Sequence, residues 1–274
     1  MKLSIVHHTT YEYDAAVRYG VQYLRLTPFA NASQRVLRWH INAPGKLTAW
    51  SDAFGNQCST LVLDRPTHRI DIMAAGQVET ADTGGVLPNE EDSLPVEIFL
   101  RQTPLTRADP AICAFAAGFR AALEGERLDG LHALSGGIRD QVDYRDGETD
   151  VRTPAGEVLV KGSGVCQDHA HVFIACCRHL GVPARYVSGY LYAGEQDEPF
   201  VASHAWAAAW VPSLGWVSFD VANRTCGTAC HVGVALGLDY HGASPIRGIR
   251  EGGESREGLS VAVKVGQARR SGQQ

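Results

Sequence analysis

Apolar and polar residues alternate along the first part of the chain, in short runs that are separated by turn-forming residues. An alternation with a period of two is typical of β-strands that bury one face. The alternating runs cover residues 3–13, 21–27, 34–42, 47–51, 58–63 and 68–79. Glycine, proline and asparagine at 43–45 and 54–56 favour reversals of the chain between them. The pattern therefore predicts an antiparallel β-domain over residues 1–85.

The periodicity changes after residues 86–100, where prolines and an acidic cluster predict a linker. Asp109 and Pro110 are typical of a helix start, because aspartate caps a helix and proline is tolerated at its first position. Apolar residues recur at helical spacing after this start and again over residues 128–144, which predicts two amphipathic helices. We expect residues 101–274 to form a second unit, the core.

The most informative segment of this core is an apolar helix that lies between two glycine signals. The turn-forming residues 162–164 lead into the run CQDHAHVFIACCRHL, which begins at Cys166. Gly181 and Pro183 predict the end of the helix, because glycine favours the C-terminal cap and proline cannot continue a helix. Cys166 therefore lies in the first turn of the predicted helix.

Short apolar runs follow this helix and predict strands. They cover residues 184–191, 203–211, 216–220 and 259–265. Residues 224–258 show no clear period, and we expect the polar tail 267–274 to be frayed. The predicted fold class is α+β: an N-terminal antiparallel β-domain, then a core in which the Cys166 helix packs on an antiparallel sheet.

The position of Cys166 is suited to a nucleophile. The N-terminus of a helix carries a partial positive charge and unpaired N–H groups, which favour a thiolate and can hold an oxyanion. Such a thiol also needs a base, and the base needs a carboxylate that orients it. His204 opens one predicted strand and Asp220 ends the next. If the two strands are antiparallel neighbours, these side chains meet at one edge of the sheet, beside Cys166.

Composition excludes several classes of protein. The chain has 274 residues, is 45% hydrophobic and has a formal net charge of -5. It contains no apolar run of about 18 residues, and its start shows no secretion signal, so we expect neither a membrane partner nor export, and a cytoplasmic location. The acidic balance argues against nucleic acid as a partner. The sequence shows no phosphate-binding loop, dinucleotide fingerprint or calcium loop, so no cofactor is expected.

The seven cysteines are an odd number, which predicts reduced thiols rather than disulfides. Cys226, Cys230 and His231 bring three possible zinc ligands close together in the sequence, but structural zinc normally takes four ligands in paired spacings. His169 and His171 point in different directions on a helix and cannot share one ion. We therefore predict no metal site, and we expect Asp168, Cys113, Cys176 and Cys177 to have structural roles.

Two strings of the core resemble the transglutaminase-like superfamily of papain-type cysteine enzymes. They are GSGVCQDHAHVFIACCRHLGVPARYVSGYL and SHAWAAAWVPSLGWVSFDVAN. The N-terminal HHTTYEYDAAVRYGVQYLRLTP and the later HVGVALGLDYHGASPIRGIREGG are similar to bacterial transglutaminase-like proteins that carry a β-rich domain before the core. The resemblance implies a papain-like core and covers nearly the whole chain.

The resemblance also implies roles for individual residues. Cys166 is the implied nucleophile, His204 the general base and acid, and Asp220 the carboxylate that orients the histidine. The backbone N–H of Cys166 would donate one hydrogen bond to the oxyanion, and Tyr144 is the candidate for a second donor. The chain departs from the usual pattern at His169 and at the pair 221–222, which affects substrate preference and local packing more than the chemistry.

The reaction implied is acyl transfer from an amide through a thioester. With water as the acceptor the chain is a peptidase or amidase acting on a protein or peptide, which is the expected function. With an amine as the acceptor it is a crosslinking transglutaminase. A third alternative, from a different class, is a non-catalytic module that binds a peptide or protein. The sequence leaves the oligomeric state and the substrate's identity open.

Overall fold

The computed structural model describes residues 1–87, 94–194, 203–252 and 256–268. The first strands are β1 (Lys2–Val17), β2 (Tyr19–Thr27), β3 (Gln34–Asn42), β4 (Lys46–Ser51), β5 (Gln57–Leu63) and β6 (Thr67–Thr80). The middle of the chain forms β7 (Val86–Leu87), a 3-10 helix (Val96–Leu100), α1 (Pro110–Ala117), α2 (Arg120–Gly125), α3 (Arg127–Gln141), β8 (Asp143–Tyr144), α4 (Ala155–Lys161), β9 (Ser163–Gly164) and α5 (Cys166–His179). The last elements are β10 (Ala184–Leu191), β11 (Ser203–Val211), β12 (Gly215–Asp220), β13 (Thr225–Cys226), β14 (His231–Gly237), α6 (Tyr240–Ala243), β15 (Ile246–Glu251) and β16 (Glu257–Gln267).

The N-terminal region is a sandwich of two antiparallel sheets. One sheet has the strand order β16-β1-β6-β3, and the other has the order β15-β2-β5-β4. Their inner faces share one apolar cluster, in which Leu24 and Leu61 of one sheet pack with Ile70 and Ile72 of the other. Alternate residues of these strands are buried, as a sheet with one solvated face requires. The predicted α+β class with an N-terminal antiparallel β-domain is confirmed.

The segment 246–267 differs from the predicted organisation, which assigned it to the core. Instead, β15 pairs with β2 and β16 pairs with β1, so each completes an N-terminal sheet. The strand predicted at 259–265 exists, but its partner is more than 240 residues away in sequence, for example at Ile5 opposite Val265. Within the predicted linker, Val86 and Leu87 pair with β12, while residues 88–93 lie outside the described residues. Most of the polar tail, 269–274, also lies outside them.

The core is a mixed layer of one sheet and several helices around α5. The sheet has the order β13-β12-β11-β10-β14, and each pair of adjacent strands in this order is antiparallel. The helix α5 packs on β10 and β11 on one side and against α1, α3 and α4 on the other. Every residue from Asp168 to Arg178 is buried. A helix that is covered all round is fixed in position, so its N-terminus is held at one edge of the sheet.

Both ends of the predicted helices follow the sequence signals. The Asp109 carboxylate accepts the N–H of Ile112 at 2.9 Å, and Pro110 is the first residue of α1. The first of the two predicted helices is interrupted at Gly118: α1 ends at Ala117, and α2 begins at Arg120. At the end of α5, Gly181 adopts a φ of 76°, and the N–H of Val182 donates to the carbonyl of Cys177 at 2.8 Å, which closes the helix.

Two amide side chains of the β-sandwich fix it to the core sheet. The edge strand β14 would otherwise present unpaired backbone groups. Gln34 donates to the carbonyl of Gly233 at 2.8 Å and accepts its N–H at 2.7 Å. Asn56 makes the same pair of bonds with Leu236, at 2.8 and 2.7 Å. Each amide therefore mimics a neighbouring strand, and the sandwich and the core share one continuous interface.

The last turn of α5 is anchored by the buried Arg178. Its guanidinium donates to the carbonyls of Phe99 at 2.9 Å, Ala184 at 2.9 Å and Leu238 at 2.7 Å, and to the hydroxyl of Thr106 at 2.6 Å. Burial lowers the pKa of Arg178 to about 10, which still leaves the side chain charged at neutral pH. One side chain thus joins the 3-10 helix, the loop after it, β10 and the end of β14.

We expect Arg178→Met to lower the free energy of unfolding by about 3 kcal/mol or more, because it leaves several buried acceptors without a donor. Urea denaturation of the variant and the wild type measures the difference. The matched control is Arg120→Met, since Arg120 is exposed on α2. Equal stability of the Arg178 and Arg120 variants would contradict the anchoring role.

Candidate active site

The turn before Cys166 is built around a buried carboxylate. Val165 is the N-cap of α5 and offers no side-chain acceptor. Instead, Asp168 reaches back: its Oδ2 accepts the N–H of Val165 at 2.8 Å and the hydroxyl of Thr149 at 2.6 Å. A Cβ on Gly164 would lie 2.7 Å from the Asp168 side chain, so only glycine fits there. Asp168 thus has the structural role expected from the sequence, and it fixes the start of the helix.

Cys166 is the first residue of α5 and is half-buried. The first N–H groups of a helix have no partner within the helix. In the part of the chain that the structure describes, no acceptor lies within hydrogen-bond reach of the Cys166 N–H. The thiol therefore lies where the positive end of the helix dipole and a free donor can both act on it.

His169, a departure from the family pattern, ties this helix end to its surroundings. Its ring nitrogens lie 2.8 Å from the carbonyl oxygen of Val165 and 3.0 Å from that of Val142. The ring of Tyr144 stacks on it, with centroids 6.2 Å apart. His171 points elsewhere and accepts the N–H of Tyr240 at 3.1 Å.

Tyr144 lies beside the thiol, and its strand β8 pairs with β9 opposite Gly164. Burial, and then the negative charge of Cys166 in its thiolate form, raise the pKa of the Tyr144 phenol to about 12. The phenol therefore keeps its proton at neutral pH and can act as a donor.

His204 and Asp220 meet at the edge of the core sheet. β11 and β12 are antiparallel neighbours, with Ala207 opposite Phe219, which brings the start of one strand beside the end of the other. The Nε2 atom of His204 lies 2.7 Å from Oδ2 of Asp220. Cys166 is close enough for its thiolate form to raise the pKa of His204, and both residues line one cavity. Because Nε2 faces Asp220, Nδ1 is the nitrogen left for the thiol.

His204 and Asp220 stabilise each other's charged forms. Burial lowers the pKa of His204, but its interactions with Asp220 and Cys166 outweigh burial and raise the pKa to about 10. Burial raises the pKa of Asp220, and the hydrogen bonds from His204, His231 and Asn223 outweigh it and hold that pKa well below its usual range. The favoured state at neutral pH is an imidazolium beside an ionised carboxylate.

Two further side chains bind Asp220, and neither contact is indicated by the sequence pattern. His231, at the start of β14, lies with its Nε2 at 3.0 Å from Asp220 Oδ2. The Asn223 amide donates to the same oxygen at 2.7 Å, and its backbone N–H donates to Oδ1 at 3.3 Å. Trp206 covers the group, with its ring 5.2 Å from that of His231 and 6.0 Å from that of His204.

Within the described residues, His204, Asp220 and His231 form a group that could hold a metal ion. One ligand atom each from His204, Asp220 and His231 lies within 4.8 Å of the others, and two imidazoles with a carboxylate can hold a transition metal. The contacts of 2.7 and 3.0 Å to Asp220 are normal hydrogen bonds, which explain the cluster without an ion. Cys226 and Cys230 are not part of it.

The comparisons with known proteins match this architecture. Residues 114–221 match the profile of the transglutaminase-like superfamily, and residues 3–79 match that of the bacterial transglutaminase-like N-terminal region. Residues 114–221 are thus a transglutaminase-like core, and residues 3–79 a bacterial transglutaminase-like N-terminal region. The two matched segments lie in the core and in the β-sandwich.

Relatives and a solved structure extend the likeness over the full fold. A Mycobacterium leprae protein named as uncharacterized is 28% identical over 96% of this chain and 98% of its own. A Mycobacterium tuberculosis protein, also named as uncharacterized, is 28% identical over 95% of this chain and 91% of its own. A Cytophaga hutchinsonii structure named "Putative Cysteine Protease" superposes with a TM-score of 0.72 and 21% identity, over 99% of this chain and 92% of that one. It shares the fold.

Three other features of the chain concern its cysteines, its helices and one cavity. All seven cysteines are free thiols. Among the residues that the structure describes, no helix has the length and apolar character needed to cross a bilayer. Cys166 and His204 both line one cavity of about 410 Å³.

The raised pKa of His204 predicts how stability depends on pH. The folded protein holds this proton up to about pH 10, whereas the unfolded chain releases it near the ordinary value of 6.5. The stabilisation is therefore complete below about pH 6.5, declines as the pH rises, and is lost through pH 10. We expect the difference in free energy of unfolding between the wild type and His204→Gln to shrink from pH 6 to pH 10.5, measured by urea denaturation. A difference that stays constant over this range would exclude the bound proton.

Proposed function

We propose that the chain cleaves amide bonds of a peptide or protein by cysteine-dependent acyl transfer, with Cys166, His204 and Asp220 as the catalytic group. The observation that carries the proposal is the Nε2–Oδ2 distance of 2.7 Å between His204 and Asp220, at a cavity that His204 shares with a cysteine at a helix N-terminus. A nucleophile, a base and the group that orients the base are thus gathered at one site.

In the first step, the Cys166 thiolate attacks the carbonyl carbon of the substrate amide and a C–S bond forms. The electron pair of the carbonyl moves to its oxygen. His204 then donates its Nδ1 proton to the leaving nitrogen, the C–N bond breaks, and the amine departs. The products of this step are a thioester on Cys166 and a neutral His204.

In the second step, His204 takes a proton from water, and the water oxygen attacks the thioester carbon. The C–O bond forms, the C–S bond breaks, and the thiolate returns beside an imidazolium. A carboxylic acid leaves. The same histidine acts as acid in one step and as base in the next, which its two protonation states allow.

Asp220 has an electrostatic and an orienting role in this scheme. It keeps the proton of His204 on Nε2, so that Nδ1 faces the thiol, and it stabilises the imidazolium by its negative charge. Its low pKa means that it does not take the proton itself.

The oxyanion needs donors that are in position before the reaction. The Cys166 N–H, which has no helical partner, is the first donor in the proposal. Tyr144 is the second, because its phenol keeps its proton and lies beside the thiol. Water is the proposed acceptor of the acyl group, as the resemblance to bacterial relatives implies.

We expect iodoacetamide to alkylate Cys166 at pH 7 at least tenfold faster than any of the other six thiols, because an imidazolium beside it favours the thiolate. Peptide mapping by mass spectrometry measures each rate. Cys113 is an internal reference, since its Sγ lies 3.5 Å from His179 Nδ1. His204→Ala should slow alkylation of Cys166 at least tenfold, and Asp220→Asn should slow it less, whereas His68→Ala, on an exposed strand position, is the matched control.

The outcomes separate the candidate functions. A peptide-binding module would be favoured over an enzyme if Cys166 were alkylated no faster than Cys113 and if His204→Ala left the Cys166 rate unchanged. If Cys166 is reactive, peptide substrates incubated with and without a lysine analogue then distinguish the acceptors by product mass. A carboxylic acid product supports hydrolysis, and an amine adduct in its place would overturn the assignment of water as the acceptor.

A further inference from the structure

The cavity beside Cys166 is walled by the β-sandwich as well as by the core. Its volume is about 410 Å³, within the range of pockets that bind ligands. Cys166 and His204 line it from the core. Its lining also includes apolar and aromatic side chains of β1, β2, β10, β15 and β16. These are Tyr11, Leu26, Tyr190, Ile246, Leu259 and Val261.

We propose that this cavity is the subsite for the acyl half of the substrate and that it selects an apolar or aromatic side chain next to the scissile amide. The inference rests on the proposed function, since it needs Cys166 to form a thioester. The acyl half stays on the enzyme while the first product leaves, so the cavity that includes the sulfur is where this half has to be held.

The basic side chains that the β-sandwich contributes to the lining, Arg25 and His7, are already paired. The Arg25 Nε donates to Asp52 at 3.1 Å, and both side chains are largely buried. The ring nitrogens of His7 lie 2.9 Å from the Tyr190 hydroxyl and 2.9 Å from the Thr9 hydroxyl. Burial, and then the nearby His8, lower the pKa of His7 to about 4, so this ring is uncharged at neutral pH. A charged substrate side chain would lose its hydration here without gaining a free partner.

The rim of the cavity exposes apolar side chains that no part of the described chain covers. Leu259 and Val261 lie on β16, directly opposite Tyr11 and Thr9 of β1. They are 57% and 39% exposed. Residues directly opposite in an antiparallel pair project to the same face, so these four side chains form one surface leading to Cys166. Exposed apolar residues grouped around a pocket mark a binding surface.

Chloromethyl ketones of single acyl-amino acids test this subsite on the full chain. The thiolate forms a bond to the methylene carbon and chloride leaves, so the rate reports how well the side chain is held beside Cys166. We expect the phenylalanine and leucine ketones to alkylate Cys166 at least tenfold faster than the glutamate and lysine ketones. Each rate is divided by that of iodoacetamide, which has no side chain to bind.

A matched pair of variants locates the subsite. Val261→Glu should lower the phenylalanine-to-lysine ratio at least tenfold, because it adds a charge to the wall. Ile249→Glu should leave the ratio unchanged, since Ile249 is 75% exposed on β15 and does not line the cavity. Because both residues are partly or largely exposed, thermal melting curves should show folded proteins.

The possible failures are distinguishable. Iodoacetamide rates at Cys166 no higher than at the other thiols would refute the proposed function itself. A reactive Cys166 that accepts charged and apolar ketones equally, or a Val261→Glu variant with the ratio of the wild type, would refute only the subsite.

A second inference concerns His231 and rests on different contacts. The N–H of Thr228 donates to His231 Nδ1 at 3.1 Å, so the ring proton is on Nε2, which donates to Asp220 Oδ2 at 3.0 Å. The geometry points to His231 as a positioning residue for the proposed reaction. Together with Asn223, it holds the carboxylate oxygen in the one orientation that also receives His204.

His231→Leu and His231→Gln separate positioning from folding. The leucine variant removes the donor, and we expect alkylation of Cys166 at pH 7 to fall at least fivefold and the downfield proton NMR signal of the His204–Asp220 bond to shift or disappear. The glutamine variant keeps an N–H donor and should recover most of the rate and the signal. EDTA in all samples removes any bound metal.

Thermal melting establishes that both variants are folded. A folded leucine variant with the wild-type rate and signal would refute the positioning role. So would a folded glutamine variant that is as slow as the leucine variant, because a retained donor would then have no effect.

Discussion

The helix α5 is buried around its whole circumference, and the other elements of the core are arranged to cover it. The sheet strands β10 and β11 cover one side of it, and α1, α3 and α4 cover the others. Arg178 fixes the far end by four hydrogen bonds, and Asp168 fixes the near end. Partial exposure within α5 is confined to its two ends, at Cys166 and Gln167 and at His179. Cys166 is therefore half-buried at a fixed helix end, although residues 168–178 are buried.

The second organising element is the buried charge of Asp220. A carboxylate without exposed surface needs compensating donors, and here two imidazoles and one amide converge on the same oxygen. These donors come from β11, β14 and the turn after β12, so the charge joins three parts of the sheet. Its position in turn determines which ring nitrogen of His204 faces the thiol. Electrostatics and packing thus act on the same few atoms.

Local patterns were sufficient to predict the first six strands of the β-sandwich, the start of α1 at Asp109, and the position of Cys166 at the start of α5. The proximity of His204 and Asp220 was also predictable, since it needs only two adjacent antiparallel strands. The contact of His231 was not predictable, because it depends on β14 pairing on the other side of β10, and no local signal encodes this order. The pairing of residues 246–267 with the N-terminal sheets was not predictable for the same reason. A sequence pattern can identify a strand, but it does not identify a partner strand more than 200 residues away.

The strands β15 and β16 have a consequence for the order in which the molecule is assembled during translation. A ribosome that has reached residue 245 has already made Cys166, His204 and Asp220, but it has not made β15 and β16, which supply part of the cavity lining and complete both sheets of the sandwich. Domains generally fold as they emerge, from the N-terminus onward. The two edge strands that complete the sandwich, and the cavity-lining residues that they carry, are therefore synthesised after the rest of the fold.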